Sequence, residues 1–283
     1  MRSLVTGATR LLGIIGHPVS HSLSPCMQNA ALLELGLDYL YVPLPVHPSR
    51  LETAVAGLQA CGFVGFNVTI PHKQAITSLM DRLTEPAQLA GAVNTVRIEP
   101  DGTLTGTNTD IGGFVQPLVN SDWQGKTATI LGNGGAALAV AIGCRQLGFE
   151  YIHVCGRDRD RLYAFCSGNT ALEGVKPLLW TELDRVLPRT DLLVNTTPIG
   201  MVPTVEESPL STENLSHLPE QATVYDLIYR PRPTRLLERA IGRGLRGIDG
   251  LAMLVAQGEA ALEFWLDRPA PAGIMARAVQ TLN

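Results

Sequence analysis

The sequence lacks any long hydrophobic run. Although 45% of its 283 residues are hydrophobic, no stretch approaches the roughly eighteen consecutive apolar residues that a membrane-spanning helix needs. Near the start, the apolar run Leu11–Ile15 is too short for the core of a secretory signal peptide. These absences argue against a membrane protein and against a secreted one, and we expect the protein to be cytoplasmic.

Cysteine is scarce, and its spacing forms no metal-binding or redox pattern. The five cysteines stand at positions 26, 61, 144, 155 and 166, without a C-x-x-C pair. This usage is typical of buried, reduced thiols in a cytoplasmic protein. His17 and His21 lie four residues apart, but Pro18 separates them and no carboxylate follows at the spacing of a metal ligand. We therefore predict no metal site.

Charge is also sparse and carries no strong sign. Charged residues make up 17% of the chain, and the formal net charge is −4 without any run of basic residues. Nucleic acid and anionic membranes attract basic surfaces, so neither is expected as a partner. The composition instead suits a soluble protein with a well-formed core. At about twice the usual domain size, the chain is expected to form two domains.

The most informative segment that is present covers residues 127–157. An apolar strand is predicted over Thr127–Leu131, followed by a glycine turn, an apolar-faced helix and a second strand that ends at Arg157. The turn matches the G-x-G-x-x-A form of the dinucleotide-binding fingerprint. Its residues are Gly132, Asn133, Gly134, Gly135, Ala136 and Ala137.

Each small residue of the turn has a physical purpose in such a fingerprint. Gly132 allows the tight turn, Gly134 lets the backbone approach a pyrophosphate, and Ala137 keeps the helix close to its strand. The helix N-terminus offers unpaired N–H groups to the phosphates. The second strand of this motif normally ends in an acid that binds the ribose 2′-hydroxyl, whereas Arg157 here provides a cation for a 2′-phosphate. The pattern therefore favours NADP(H) over NAD(H).

The remainder of the chain alternates between predicted strands and helices, without an internal repeat. The predicted strands are Leu11–Gly16, Tyr39–Leu44, Phe63–Ile70, Leu192–Asn195 and Thr223–Ile228, with a hairpin of Val93–Ile98 and Thr103–Gly106. The predicted helices are one with Ser24 as N-cap that Gly36 closes, Pro48–Ala60, one that begins at Pro71, about Gly112–Val119, and Gly250–Leu266.

Polar residues interrupt this apolar pattern at four places, which are His21–Pro25, Asn67–Lys73, Gly91–Thr95 and Gly106–Asp110. On a strand, Asn67 and Thr69 share one face. Lys73, in the first turn of a predicted helix, opposes the helix dipole unless an anion compensates, and Asp110 is a candidate partner.

Taken singly, each of these residues also has an ordinary structural explanation. Ser24 fits a helix cap, Asn67 and Thr69 fit an edge strand, and Lys73 fits a solvated surface. Together, uncharged polar groups with one lysine and one aspartate describe a pocket for a small polyhydroxylated acid.

Eight motifs, in order along the chain, resemble those of the shikimate dehydrogenase family. They are HSLSP, NVTIPHK, GAVNT, GTNTD, GNGGAA, NTTPIGM, DLIYRPRPT and DGLAMLVAQ. The resemblance implies two α/β domains around a cleft, the second a Rossmann-type doubly wound parallel sheet, with the C-terminal helices returning to the first domain. It places a substrate-binding catalytic domain at residues 1–110 plus 248–283 and an NADP-binding domain at 111–247. The implied reaction is NADPH-dependent reduction of 3-dehydroshikimate to shikimate, a step in chorismate and aromatic amino acid biosynthesis.

The resemblance also implies roles for individual residues. Lys73 and Asp110 become the catalytic acid–base pair, with either as the formal acid. The substrate-binding residues are Ser22, Ser24 and Tyr229 for the carboxylate, and Asn67, Thr69, Asn94 and Gln257 for the ring. The cofactor-binding residues are Gly132, Asn133, Gly134, Gly135, Ala136, Arg157, Arg161, Thr197, Met201 and Gly250, with Gly200 beside them.

Four questions stay open at this point. Asn133 stands where the family usually has alanine, and Asp158 replaces a hydroxyl residue beside Arg157, so its negative charge is expected to weaken the NADP preference. The substrate is expected to be shikimate, with a dual quinate/shikimate dehydrogenase as the alternative from the same class. A non-catalytic metabolite sensor is the alternative from another class. The expected assembly is a monomer or a homodimer.

Overall fold

The computed structural model describes residues 5–280. Its contacts divide the chain into two compact α/β units. The first contains the residues up to Thr109 together with those from Val255 onward, and the second is Asp110–Leu254. The C-terminal residues from Val255 onward thus return to the first unit, as expected, whereas residues 248–254, which were also expected there, group with the second. Which unit binds substrate and which binds cofactor stays a prediction.

Strands and helices alternate along most of the chain. The strands are β1 (Arg10–Gly16), β2 (Tyr39–Pro45), β3 (Gly65–Val68), β4 (Arg82–Leu83), β5 (Thr95–Ile98), β6 (Leu104–Thr107), β7 (Thr127–Leu131), β8 (Tyr151–Gly156), β9 (Lys176–Leu179), β10 (Leu192–Asn195), β11 (Thr223–Asp226) and β12 (Arg246–Ile248). The α-helices are α1 (Ser24–Glu34), α2 (Leu51–Ala60), α3 (Glu85–Ala90), α4 (Asp110–Val115), α5 (Gly135–Gln146), α6 (Arg159–Ser167), α7 (Thr212–Ser216), α8 (Arg235–Gly242), α9 (Gly250–Leu266) and α10 (Ile274–Gln280).

The sheet of the first unit is mixed. Its strand order is β2-β1-β3-β5-β6-β4, in which β1 pairs in parallel with β2 and β3, while β5 pairs antiparallel with β3 and β6. The predicted hairpin is therefore confirmed as β5 and β6. The core beneath this sheet includes Ile15, Phe66, Val68 and Val96.

The C-terminal part of the chain completes the first unit. The indole Nε1 of Trp265 on α9 donates a hydrogen bond to the carbonyl oxygen of Val96 at 2.9 Å. A Cβ atom added at Gly65 would lie 2.5 Å from the Trp265 ring, so only glycine permits this close approach. The predicted return of α9 to the first domain thus has a specific packing cause.

The sheet of the second unit is entirely parallel. Its strand order is β12-β11-β10-β7-β8-β9, which is the Rossmann-type order with its switch point between β7 and β10. Successive side chains of a strand point to opposite faces of its sheet. On β7, Ile130 therefore packs in the core on one side of the sheet and Leu131 in the core on the other. In the described part of the chain, no helix combines the length and apolar character needed to cross a bilayer.

Two predicted helix starts are wrong. Ser24 is the first residue of α1 rather than its N-cap; the cap position is Leu23, and no side chain caps this end. The helix predicted from Pro71 is instead a turn over residues 71–74, followed by the 3₁₀-helix Ala75–Leu79. The cause of the second error is His72. Its ring is 1% exposed and lies 2.8 Å from the carbonyl oxygen of Val46, so it anchors a turn that sequence patterns do not encode.

The turn that begins at Pro71 changes the environment expected for Lys73. Lys73 does not lie in the first turn of a helix, so no helix dipole acts on it there. Asp110 does lie in a first turn, as the first residue of α4, where a carboxylate is favourable. This helix begins two residues before the predicted Gly112 and continues as the 3₁₀-helix Gln116–Leu118.

Candidate active site

The glycine turn follows β7 and leads into α5. Gly132 has φ +102°, a left-handed conformation, and a Cβ there would lie 2.7 Å from Oγ1 of Thr196. Gly134 and Gly135 have no atom within 4 Å of an added Cβ, so the space beside them is open. The exposed backbone at the N-terminus of this twelve-residue helix fits a pyrophosphate, as the fingerprint predicts.

Two loops border the switch point of the second sheet. The glycine turn leaves β7, and the segment from Thr196 leaves β10, the neighbouring strand. Ligands of doubly wound sheets bind outside the carboxyl ends of the strands at this kind of position. The predicted residues Thr197 and Met201 lie on the second loop, and the Met201 side chain is exposed.

Arg157 and Asp158 follow directly after β8. Arg157 is exposed and forms no ion pair or hydrogen bond with any described residue. Asp158 is the N-cap of α6, since its carboxylate accepts a hydrogen bond from the backbone N–H of Arg161 at 3.0 Å. The Nε atom of Arg161 lies 3.9 Å from the same carboxylate. A free guanidinium at this strand end fits the predicted 2′-phosphate site.

The cap explains why a carboxylate is acceptable at position 158. We expect Asp158→Ala to lower the free energy of unfolding by about 1 kcal/mol, whereas Asp158→Ser retains a capping oxygen and most of the stability. Chemical denaturation followed by circular dichroism measures both variants. Equal stability of Asp158→Ala and the unmodified protein would contradict the capping role.

A buried hydrogen-bond network holds the loops that follow β10 and β11. The fully buried carboxylate of Asp226 accepts from Nδ2 of Asn195 at 2.9 Å and from Oγ1 of Thr234 at 2.6 Å. Burial raises the pKa of the Asp226 carboxyl. Oδ1 of Asn195 accepts from both the backbone N–H and the hydroxyl of Thr197, at 3.0 and 2.7 Å. The Thr197 hydroxyl is thus committed to the protein, which leaves its methyl group and backbone to contact a cofactor.

Two further predicted residues lie on nearby segments of the same unit. Burial raises the pKa of the Tyr229 phenol, so that phenol stays protonated at neutral pH and is a hydrogen-bond donor. Gly250 begins α9, and a Cβ there would lie 2.0 Å from the carbonyl oxygen of Leu227. Backbone packing alone therefore requires glycine at 250, whatever its role toward a cofactor.

In the first unit, the predicted substrate residues on β3 and before β5 form a buried network. Nδ2 of Asn67 donates to the carbonyl oxygen of Asn94 at 3.2 Å and to Oγ1 of Thr95 at 2.9 Å. Oδ1 of Asn94 accepts from the backbone N–H of Thr109 at 2.9 Å. The hydroxyl of Tyr41 donates to Oδ1 of Asn67 at 2.7 Å. Uncharged groups alone make these contacts, in line with the predicted pocket for a polyhydroxylated ligand.

The two predicted serines lie side by side at the start of α1. Oγ of Ser22 accepts from the backbone N–H of Ser24 at 3.2 Å. Ser24 is buried and Ser22 half-buried. This bond fixes the position of the Ser22 hydroxyl relative to the backbone at Ser24.

The remaining predicted residues, Thr69, Lys73, Asp110 and Gln257, lie on four different segments of the chain. β3 ends at Val68, so Thr69 lies just beyond the strand that carries Asn67. The carbonyl oxygen of Lys73 accepts from the backbone N–H of Val93 at 2.8 Å, and its side chain is half-buried. Asp110 and Gln257 are also half-buried.

The sequence patterns missed three residues of these networks. Tyr41 lies within a predicted apolar strand, His72 lies between Pro71 and Lys73 in a polar segment, and Asp226 lies within the predicted strand Thr223–Ile228, so no motif distinguishes them. Each is almost fully buried with a polar partner, which composition and periodicity do not reveal. A polar residue at an inward strand position, as Asp226 is on β11, was the one available signal.

Comparisons with known proteins are consistent across the chain. A family model described as the shikimate dehydrogenase substrate binding domain matches residues 14–96, and one described as the shikimate 5′-dehydrogenase C-terminal domain matches residues 250–280. A Trichormus variabilis protein named shikimate dehydrogenase (NADP(+)) is 52% identical over 284 residues, 98% of each chain.

Solved structures agree with this result. Shikimate 5-dehydrogenase of Thermus thermophilus, in complex with NADP(H) and shikimate, is 34% identical with a TM-score of 0.85, over 96% of this chain and 98% of that one. Quinate dehydrogenase of Corynebacterium glutamicum, in complex with NAD, is 29% identical with a TM-score of 0.89, over 96% and 99%. Because the chain is 52% identical to the Trichormus variabilis protein over 98% of both chains, it belongs to the shikimate dehydrogenase family.

Proposed function

We propose that this protein catalyses the reversible, NADP-dependent reduction of 3-dehydroshikimate to shikimate, in chorismate and aromatic amino acid biosynthesis. The observation that carries the proposal is the 52% identity over 98% of both chains to a protein named for this reaction. The site geometry supports it, because the buried uncharged network of the first unit and the open glycine turn of the second suit a polyhydroxylated acid and a dinucleotide.

The second unit holds the cofactor in this proposal. The backbone from Gly132 to Ala136, including Asn133, binds the pyrophosphate at the N-terminus of α5, and Arg157 binds the 2′-phosphate with Arg161 beside it. Thr197 and Met201 would pack on the cofactor near its nicotinamide, and Gly250 would also contact the cofactor. When bound, NADPH supplies the hydride that reduces the ketone carbon.

The protein's own chemistry concerns the proton and the developing charge. As the ketone oxygen gains negative charge, the Lys73 ammonium stabilises it, and the carboxylate of Asp110 orients the lysine and the hydroxyl. The pair transfers the proton to that oxygen in reduction and removes it in oxidation.

Neutral donors bind the substrate carboxylate in this proposal. Ser22, Ser24 and the protonated phenol of Tyr229 each donate one hydrogen bond to it, so no arginine is needed. Asn67, Thr69, Asn94 and Gln257 bind the ring hydroxyls. We further propose that the protein acts in the cytoplasm, as a monomer or a homodimer.

The quinate dehydrogenase structure makes quinate the alternative substrate to test. Quinate carries a hydroxyl on a tetrahedral C1, whereas C1 of shikimate is planar, so the two carboxylates leave the ring in different directions. Because no group of this chain is identified as a partner for a C1 hydroxyl, its burial should cost about tenfold or more in kcat/KM. We therefore expect kcat/KM for shikimate to exceed that for quinate by at least that factor.

A spectrophotometric assay of NADPH formation with each substrate makes this measurement. Parallel assays with NAD and NADP show that any quinate activity is not limited by the cofactor. Similar kcat/KM values for the two acids would establish dual specificity instead. Absence of turnover with both, together with shikimate binding in calorimetry, would favour the metabolite sensor.

A further inference from the structure

Tyr41 occupies an unusual position for a tyrosine on an apolar strand. It lies on β2, its side chain is 1% exposed, and its ring is 6.0 Å from that of Trp265. Burial raises the pKa of its phenol well above the usual value, an effect that the neighbouring Ser24 hydroxyl partly offsets. The phenol therefore stays protonated, and its single proton goes to Oδ1 of Asn67 at 2.7 Å.

The hydrogen-bond capacity of Asn67 is nearly used up by the protein. Both amide hydrogens are donated, one to the Asn94 carbonyl oxygen and one to Oγ1 of Thr95. A carbonyl oxygen cannot donate, so this contact fixes which end of the amide is nitrogen. With the Tyr41 bond, Oδ1 keeps one lone pair. Asn67 can thus accept a hydrogen bond from a ligand and has no hydrogen left to donate.

We propose that Tyr41 is a positioning residue for substrate recognition, which holds the amide oxygen of Asn67 as an acceptor for a ring hydroxyl of the substrate. The Asn94 carbonyl anchors the nitrogen end of the amide, and the Tyr41 hydroxyl anchors the oxygen end. Without the phenol, Oδ1 loses its fixed donor, and the amide is held only by the two hydrogen bonds that its nitrogen donates. The part of this inference that concerns substrate rests on the proposed function, whereas the positioning of the amide does not.

The test removes one oxygen atom with Tyr41→Phe. The matched control is Tyr225→Phe, because Tyr225 is equally buried, lies on β11 of the second unit and stacks on Phe114, with the two ring centres 5.4 Å apart. In Tyr41→Phe we expect the shikimate KM to rise about tenfold, with kcat within about twofold and the NADP⁺ dissociation constant unchanged. Tyr225→Phe should change none of the three constants.

A double-mutant cycle separates positioning from general destabilisation. In the Asn67→Ala background, Tyr41→Phe should change the shikimate KM by less than about twofold, because its effect passes through the missing amide. A tenfold effect that persists in this background would overturn the proposal, as would an unchanged KM in Tyr41→Phe alone.

A spectroscopic readout tests the positioning without any substrate. In ¹⁵N-labelled protein, the side-chain NH₂ signals of Asn67 are assigned by their loss in Asn67→Ala. They should shift in Tyr41→Phe and stay in place in Tyr225→Phe. Unmoved signals would overturn the proposal, even in an active enzyme. Shifted signals in a protein that does not turn over shikimate would contradict the proposed function and uphold the positioning role.

Discussion

Replacing Lys73 with alanine is expected to reduce kcat by about a hundredfold or more, while the shikimate KM rises only modestly. The loss matches the usual contribution of a positioned acid–base group. The ammonium interacts mainly with charge that develops in the transition state, so its removal affects kcat. Substrate binding is largely retained, because the ring hydroxyls keep Asn67 and Asn94 as partners. Steady-state kinetics in the direction of shikimate oxidation measures both constants.

Lys176→Ala is the matched control for this experiment. Lys176 lies on β9 of the second unit, where its side chain is exposed and its Nζ atom stands 5.4 Å from the centre of the Tyr151 ring. The variant makes the same change in net charge, and kcat should stay within about twofold of the unmodified enzyme. If Lys73→Ala retained more than about a tenth of kcat, well short of an acid–base loss, the catalytic assignment would be wrong.

The second large effect concerns the choice of coenzyme. Arg157 is expected to pair with the 2′-phosphate, a charge-assisted contact worth about 1.5–3 kcal/mol. Arg157→Ala should therefore erase most of an about ten- to hundredfold preference for NADP over NAD. The change should appear chiefly as a higher KM for NADP. Kinetics with both coenzymes, and calorimetric titration of NADP⁺, provide the measurement.

Arg159 supplies a control two residues away. It is also exposed, and its guanidinium lies over the ring of Tyr163, 5.6 Å from the ring centre. Arg159→Ala removes the same charge from the same helix end, so a general electrostatic effect would lower the NADP preference in both variants. We expect the loss in Arg157→Ala only. An unchanged NADP/NAD ratio in Arg157→Ala would refute the role of this residue.

The capping role of Asp158 bears on the same preference. From the sequence, its negative charge was expected to weaken NADP binding. In the structure, its carboxylate accepts from the N–H of Arg161 and lies near that guanidinium, so positive groups partly offset the charge. Asp158 should therefore still weaken NADP binding, but only slightly. We expect the NADP preference to lie in the upper part of the about ten- to hundredfold range.

Hydrophobic periodicity located several elements closely. Thr127–Leu131 and Gly250–Leu266 have the predicted bounds, and the all-parallel sheet follows from strands that alternate with helices. The glycine turn was also predictable, because its first residue, Gly132, has a left-handed φ that favours glycine. These features depend on residues that are close together along the chain, so sequence patterns can predict them.

The hydrogen-bond networks around the buried polar residues could not be predicted from the sequence. The turn that carries Lys73 depends on a buried contact between His72 and Val46, which are 26 residues apart. Asn67 is held by Tyr41, also 26 residues away along the chain, and the Asp226 network joins two loops of the second unit.

By itself, the sequence determined the alternation of strands and helices, the glycine turn and the set of polar residues that resemble a known family. Only the tertiary structure decided which buried partners hold Asn67, His72 and Asp226, through their contacts with Tyr41, Val46 and Asn195. The physical reason is that a buried polar group must find a partner, and the chain segment that provides it is chosen by packing rather than by distance along the sequence.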